Sequence, residues 1–212
     1  MAGLAPTSSF AGVSLDLRTV GPGERFGRIY LGRCLDPLGY GKTLSRFSDP
    51  RRRVPANRFG VLYLGSTLKV CVVEAVLRDE GDGRTGDLLL DERDLAVRRY
   101  AEVEVAMPLS LLDLRADGPL RMGVPSDVAR GSKQSLARKW SVAFHDHPAR
   151  PDGIIYPSRL NGETNLAIYD RAIGKLSARP GRRNAGVLVV SDHGFGPRLG
   201  PIHVNRILID PG

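Results

Sequence analysis

The 212-residue chain carries 31 Lys+Arg against 23 Asp+Glu, a net charge of +8, with 42% hydrophobic and 25% charged residues. That balance is globular and excludes a disordered chain, a collagen and a disulfide knot. No apolar run reaches the roughly 20 residues of a membrane span, and residues 1–17 lack the basic region that opens a secretory signal, so neither is expected.

Residues 1–24, rich in Gly, Ser, Pro and Ala, predict an N-terminal arm in which Val13, Leu15 and Leu17 alternate as an edge strand would. Phe26 to Leu31 predicts a short strand. Residues 32–59 are rich in Gly, Pro and Arg and read as a long loop, of the kind that usually carries function or moves. Gly60 to Gly65 (GVLYLG) predicts a buried strand. Ser66 reads as the N-cap of a helix from Thr67 to about Arg78. Residues 79–94 are acidic and Gly-rich and read as an exposed excursion. Tyr100 to Met107 alternates, with Ala101, Val103 and Val105 on one face, as a half-buried strand does. Leu109 to Leu114 continues it. Ser132 to Phe144 predicts a helix with Leu136, Trp140, Val142 and Ala143 inward. Gly153 to Tyr156 predicts a buried strand and Asn165 to Ala172 a short helix. Gly186 to Val190 and His203 to Ile209 predict closing strands, and residues 175–200 read as a second insertion. Strict strand–helix–strand alternation is missing, so the expected class is α+β, with mixed or antiparallel sheets and flanking helices.

Several apparent motifs dissolve on inspection. Cys34 and Cys71 have neither metal nor redox spacing, which points to a reducing, cytoplasmic setting. Gly81 to Gly86 matches G-x-G-x-x-G, yet it follows a helix and is flanked by Asp79, Glu80, Asp82 and Asp87, which would repel a pyrophosphate. Gly41-Lys42-Thr43 resembles the end of a P-loop, but Asp36 stands where the first glycine belongs. His145-Asp146-His147 precedes Pro148 as a polar helix exit, and no further ligands converge on it, so no metal is expected. No G-x-S-x-G nucleophile elbow occurs.

The densest basic stretch places Lys42, Arg46, Arg51, Arg52, Arg53 and Arg58 around Asp49, which suits a phosphate-bearing partner. A nucleic-acid-binding module over residues 42–58 is one reading. Against it, the stretch is short and no stacking platform, zinc finger or helix-turn-helix accompanies it.

What remains is a constellation of Arg28, Arg46, Tyr63, Glu74 and Ser158. Glu74 sits inside the apolar run Val70 to Leu77, where a carboxylate is costly unless partnered. Arg28 is a natural partner for it, and equally a clamp for an anion.

The order of these pieces is Arg28-Ile29-Tyr30, then Arg46-Phe47-Ser48-Asp49-Pro50. Leu62-Tyr63-Leu64 follows with the Glu74 helix, and Asp152-Gly153-Ile154-Ile155-Tyr156-Pro157-Ser158-Arg159 comes last. This order resembles the RES domain, a family named for its Arg, Glu and Ser, over about Arg25 to Arg171. The resemblance implies a compact fold similar to that of ADP-ribosyltransferase toxins, with residues 25–212 as the catalytic domain. It implies a toxin of a bacterial toxin–antitoxin pair that splits the nicotinamide–ribose bond of NAD. The ADP-ribosyl group would pass to inorganic phosphate, water or a protein. NAD is then a substrate, and no cofactor is expected. A small Xre-like antitoxin would cover the site, with no membrane and no direct nucleic-acid contact. The residues implied as catalytic are Arg28, Tyr63, Glu74 and Ser158, and those implied to bind substrate are Arg46, Tyr30, Gln134 and Asn165. Arg28 and Arg46 would contact phosphates and Tyr63 would line the nicotinamide end. Some members carry an aromatic directly after the first Arg; here Ile29 stands there and Tyr30 follows. The residue types suit the chemistry, because a carboxylate stabilises the positive charge that develops as an N-glycosidic bond breaks.

Overall fold

The computed structural model describes residues 5–51, 53–77, 89–90, 92–179, 189–190, 202–203 and 206–207. In chain order the elements are β1 (Leu17–Val20), β2 (Arg25–Leu31), β3 (Val61–Gly65), α1 (Leu68–Ala75), β4 (Leu89–Leu90), α2 (Glu92–Ala96), β5 (Arg98–Val105) and β6 (Leu109–Asp113). Then come α3 (Gly118–Arg121), α4 (Asp127–Arg130), α5 (Gln134–His145), β7 (Gly153–Pro157), β8 (Thr164–Tyr169), β9 (Leu176–Arg179), β10 (Val189–Val190), β11 (Ile202–His203) and β12 (Arg206–Ile207). Eight strands form one sheet in the order β1-β6-β7-β8-β3-β2-β5-β9, in which the β6–β7 pair is parallel and the rest are antiparallel. Two short ladders pair β4 with β11 and β10 with β12. A mixed sheet with helices segregated from the strand order is the α+β class that the sequence predicts.

Successive strand residues point to opposite faces, and the two faces carry separate apolar layers. Phe47, Phe59, Tyr156 and Tyr169 pack with Trp140 and Phe144 of α5 on one side. Leu62, Leu64, Val103, Val105, Leu109, Leu111 and Ile168 make the layer on the other. β5 shows the expected alternation, with Ala101, Val103 and Val105 buried and Glu102 and Glu104 partly exposed.

The structure corrects the sequence reading at several points. Asn165 to Ala172 is no helix: β8 runs Thr164–Tyr169, and a 3-10 turn follows over Asp170–Lys175. β8 lies between β7 and β3 and is buried continuously from Asn165 to Tyr169. A strand covered on both faces shows no alternation to read. The cap of α1 is Thr67 rather than Ser66, its hydroxyl accepting Val70 N–H at 3.1 Å. The loop over 32–59 is partly core, since Phe47, Ser48 and Asp49 are buried. Upstream, Phe10 packs edge-on against Trp140 with centroids 4.9 Å apart, and β1 pairs with β6. Leu176–Arg179 belongs to the main sheet as β9. The G-x-G-x-x-G segment, most of the two insertions and most of the predicted closing strands lie outside the described residues.

Candidate active site

β2 and β3 meet at a single register pair, Gly27 opposite Gly65. β2 gives its whole length to β5, from Arg25 opposite Glu104 to Leu31 opposite Arg98, while β3 pairs along its length with β8. Beyond the glycine pair, the Gly41–Val61 bridge from the long loop takes up the edge of β3. The parting of the two strands opens a cavity of about 220 Å³. Arg28 and Ile29 line it from β2, Tyr63 and Leu64 from β3, Glu74 and Ala75 from α1, Ser45 and Arg46 from the loop, and Tyr156 and Asn165 from β7 and β8.

The glycines set the height of α1. A Cβ on Gly65 would stand 2.6 Å from Val70 Cγ1 and 2.7 Å from Cys71 Sγ. A Cβ on Gly27 would stand 2.8 Å from Tyr100 and 3.0 Å from Cys71 Sγ. With neither present, the helix settles onto the strands and carries Glu74 to the cavity wall. Glu74 Oε1 accepts Ser158 Oγ–H at 2.8 Å and Asn165 Nδ2–H at 3.0 Å. Both donors are buried. Asn165 sits between Gly65 on one side and Tyr156 on the other in the sheet register. Ser158 follows β7, and its hydroxyl also accepts Leu160 N–H at 3.1 Å. The pairing of Glu74 with Arg28 suggested by the sequence is replaced by these contacts, and Arg28 donates instead to the Pro37 carbonyl.

Two arginines face the cavity. Burial pulls the Arg28 guanidinium below the ordinary arginine range, with Asp36, Cys34 and Tyr30 drawing it back up. A desolvated cation of this kind favours an incoming anion. Arg46 is buried, and its Nη1 donates to Gly131 O at 2.8 Å. Its loop is tied down on both sides. Tyr63 OH accepts Phe47 N–H at 2.9 Å and shares a hydrogen bond with Ser45 Oγ at 2.8 Å, and Ser141 Oγ donates to Phe47 O at 2.6 Å. Tyr63 therefore lines the cavity with its ring and anchors the Arg46 loop with its hydroxyl. Burial pushes the Cys71 thiol up to about 12, so it is a neutral wall rather than a nucleophile.

Of the residues singled out from sequence, Arg28, Arg46, Tyr63, Glu74 and Asn165 line one cavity, and Ser158 touches it through Glu74. Tyr30 and Gln134 do not line it. The Tyr30 ring lies 5.8 Å from the Arg28 guanidinium carbon, and Gln134 opens α5. Sequence reasoning missed Ser45, Tyr156 and the Gly27–Gly65 pair. Ser45 adjoins Arg46, Tyr156 lies within the Asp152 to Arg159 run, and Gly65 closes β3 while Gly27 interrupts β2, which was the available signal.

The remaining motifs have structural uses. The His145 ring stacks on Phe59 with centroids 4.1 Å apart, and Nδ1 of His147 accepts Ala149 N–H at 3.1 Å. Among the described residues no group of three or more His, Cys, Asp or Glu side chains is arranged to hold a metal. The basic stretch is largely engaged within the chain. Arg51 is bound by Asp49 and Asp146, Lys42 donates to Ala56 O, and Arg58 to the carbonyls of Lys42 and Arg53.

A split mixed sheet with a half-buried carboxylate and two arginines at the split defines an α+β protein with a charged cleft. The fold recurs in a chain of the crystal structure of the M. tuberculosis MbcT–MbcA toxin–antitoxin complex, at a TM-score of 0.56 and 19% identity, covering 76% of this chain and 84% of that one. The family profile described as RES domain matches residues 26–185, and the chain belongs to that family. A relative, "Probable toxin y4kH" of Sinorhizobium fredii (strain NBRC 101917 / NGR234), is 45% identical over 103 residues, which span 49% of this chain and 81% of the relative.

Proposed function

We propose that this chain is the toxin of a toxin–antitoxin pair and that it consumes NAD by breaking the nicotinamide–ribose bond. The observation that carries the proposal is Glu74, held on one carboxylate oxygen by Ser158 and Asn165 in a cavity shared with Arg28 and Arg46. The names of the relatives support the toxin half of the reading, and an antitoxin is the partner it implies.

In this mechanism Arg28 and Arg46 hold the pyrophosphate through charge-assisted hydrogen bonds. Tyr63 and Tyr156 supply flat walls for the nicotinamide ring. As the glycosidic bond lengthens, positive charge gathers on the ribose, and the Glu74 carboxylate stabilises it. The bond's electron pair leaves with nicotinamide, which departs neutral, so no general acid is required. The ADP-ribosyl group is then taken by water, inorganic phosphate or a protein side chain. Ser158 commits its proton to Glu74, which makes it a support rather than a nucleophile. The chemistry suits the cytoplasm, where NAD is available, and among the described residues no helix is long and apolar enough to cross a membrane.

Nucleic-acid binding through residues 42–58 is not favoured, because so many of their cations are taken up internally. The test is controlled expression in a bacterial host. Wild-type protein is expected to arrest growth while the NAD pool falls, and Glu74→Ala to do neither. Arrest with an undiminished NAD pool overturns the proposed substrate.

A further inference from the structure

We infer that Asn165 is a positioning residue that acts through Glu74, rather than a contact for the substrate. The inference rests on the NAD-consuming reading of the same cavity. Asparagine is disfavoured within strands, yet Asn165 stands inside β8, in the interior of the sheet, and is only 4% exposed. A buried amide needs partners, and its Nδ2 donates to Glu74 Oε1 at 3.0 Å. The second donor to that same oxygen is Ser158 Oγ, at 2.8 Å. Two neutral donors converging on one oxygen fix the rotation of the carboxylate about its last bond. The sheet register makes the arrangement rigid, because Asn165 is locked by ladder pairs to Gly65 and to Tyr156. Gly65 in turn is the residue against which Val70 and Cys71 of α1 rest. The strand that carries the donor thus also borders the seat of the helix that carries the carboxylate.

Charged and titratable groups face Glu74 from every side of this seat. Arg28 lies across the cavity on β2 and Arg46 on the long loop, while Tyr63 lines it from β3. Cys71, one turn earlier on α1, remains a neutral thiol, and Glu163 stands near it on the β7–β8 turn. Among these groups, the two donors orient the carboxylate.

The experiment compares Asn165→Asp and Ser158→Ala with wild type in steady-state NAD turnover. Asn165→Asp keeps the shape of the side chain and replaces a donor with an anion. The expected result is a fall in kcat of about 10- to 100-fold, the cost of losing one hydrogen bond to a charged group. KM for NAD should stay within about threefold, as expected when an interaction made only in the transition state is removed. A rise in KM alone, with kcat unchanged, makes Asn165 a substrate contact and overturns the inference. A double-mutant cycle of Asn165→Ala with Glu74→Ala, read by urea unfolding, needs no activity at all. Coupling between the two sites is expected, and additivity overturns the inference. Wild-type protein that leaves NAD intact contradicts the proposed substrate instead, and the cycle then decides on the Asn165–Glu74 pair by itself.

Discussion

Gly27 lies directly opposite Gly65, and this is the one register pair that joins β2 to β3. Everything in the candidate site follows from that narrow junction. To one side the strands part to open the cavity, and above it α1 presses Cys71 onto both glycines. A methyl group at either position has nowhere to go.

Gly65→Ala should therefore destabilise the protein and dislodge Glu74. Its Cβ would stand 2.6 Å from Val70 Cγ1 and 2.7 Å from Cys71 Sγ. Overpacking of this kind typically costs about 1–3 kcal/mol. Urea unfolding measures the loss, and NAD turnover should fall further than the stability change explains. Ala at Gly162, where nothing lies within 4 Å but φ is +76°, makes the control for backbone strain alone.

Tyr63→Phe should loosen the Arg46 loop while leaving the aromatic wall in place. The lost hydroxyl accepts Phe47 N–H at 2.9 Å and bonds Ser45 at 2.8 Å. An orphaned, part-buried donor costs about 1–3 kcal/mol. We expect a lower urea midpoint and a higher KM for NAD, since the proposed mechanism places Arg46 on the pyrophosphate. A KM equal to that of wild type would separate Arg46 from substrate binding.

How much of this was readable from sequence differs by residue. Glu74 announces itself because a carboxylate within Val70 to Leu77 breaks an apolar run. Its true partners do not, because Ser158 and Asn165 are 84 and 91 residues away and are brought in by the β7–β8 hairpin. Strand β5 is readable because one of its faces is wet, whereas β8, buried on both faces, shows no alternation to set it apart from a helix. Burial of Phe47 to Asp49 in a segment of loop composition depends on Tyr63 and Ser141, and local propensity carries no trace of either.

The two cysteines should differ sharply in reactivity. Cys34 is exposed, while Cys71 is buried with its thiol pushed up to about 12. The thiolate is the reactive form. One equivalent of a thiol reagent should therefore label native protein, at the exposed Cys34. Two equivalents should label protein unfolded in urea. Rapid labelling of Cys71 in the native state would contradict the close seating of α1 on Gly27 and Gly65.

Acid should weaken the protein through the Asp49–Arg51–Asp146 cluster. Burial would lift the Asp49 carboxyl, but hydrogen bonds from Arg51 overcome this and hold it below the usual carboxylate range. A carboxyl depressed in the folded state contributes stability that is present above its unfolded value of about 3.9 and is lost as pH falls through the folded one. Arg51→Ala should cost about 1–2 kcal/mol at neutral pH, as for a charge-assisted hydrogen bond at a partly exposed site. The gap to wild type should narrow toward pH 3. Urea unfolding at several pH values checks this, and a gap independent of pH would contradict it.

The most direct measurement is mass spectrometry of the NAD-derived products formed by purified protein, with and without inorganic phosphate, for wild type and Glu74→Gln. The account predicts free nicotinamide and an ADP-ribosyl product from wild type. It predicts a rate lower by about 100- to 1,000-fold, the scale of a lost electrostatic stabiliser, from a Glu74→Gln protein that unfolds at the same urea concentration. Intact NAD under every condition, or a fully active Glu74→Gln, would contradict it.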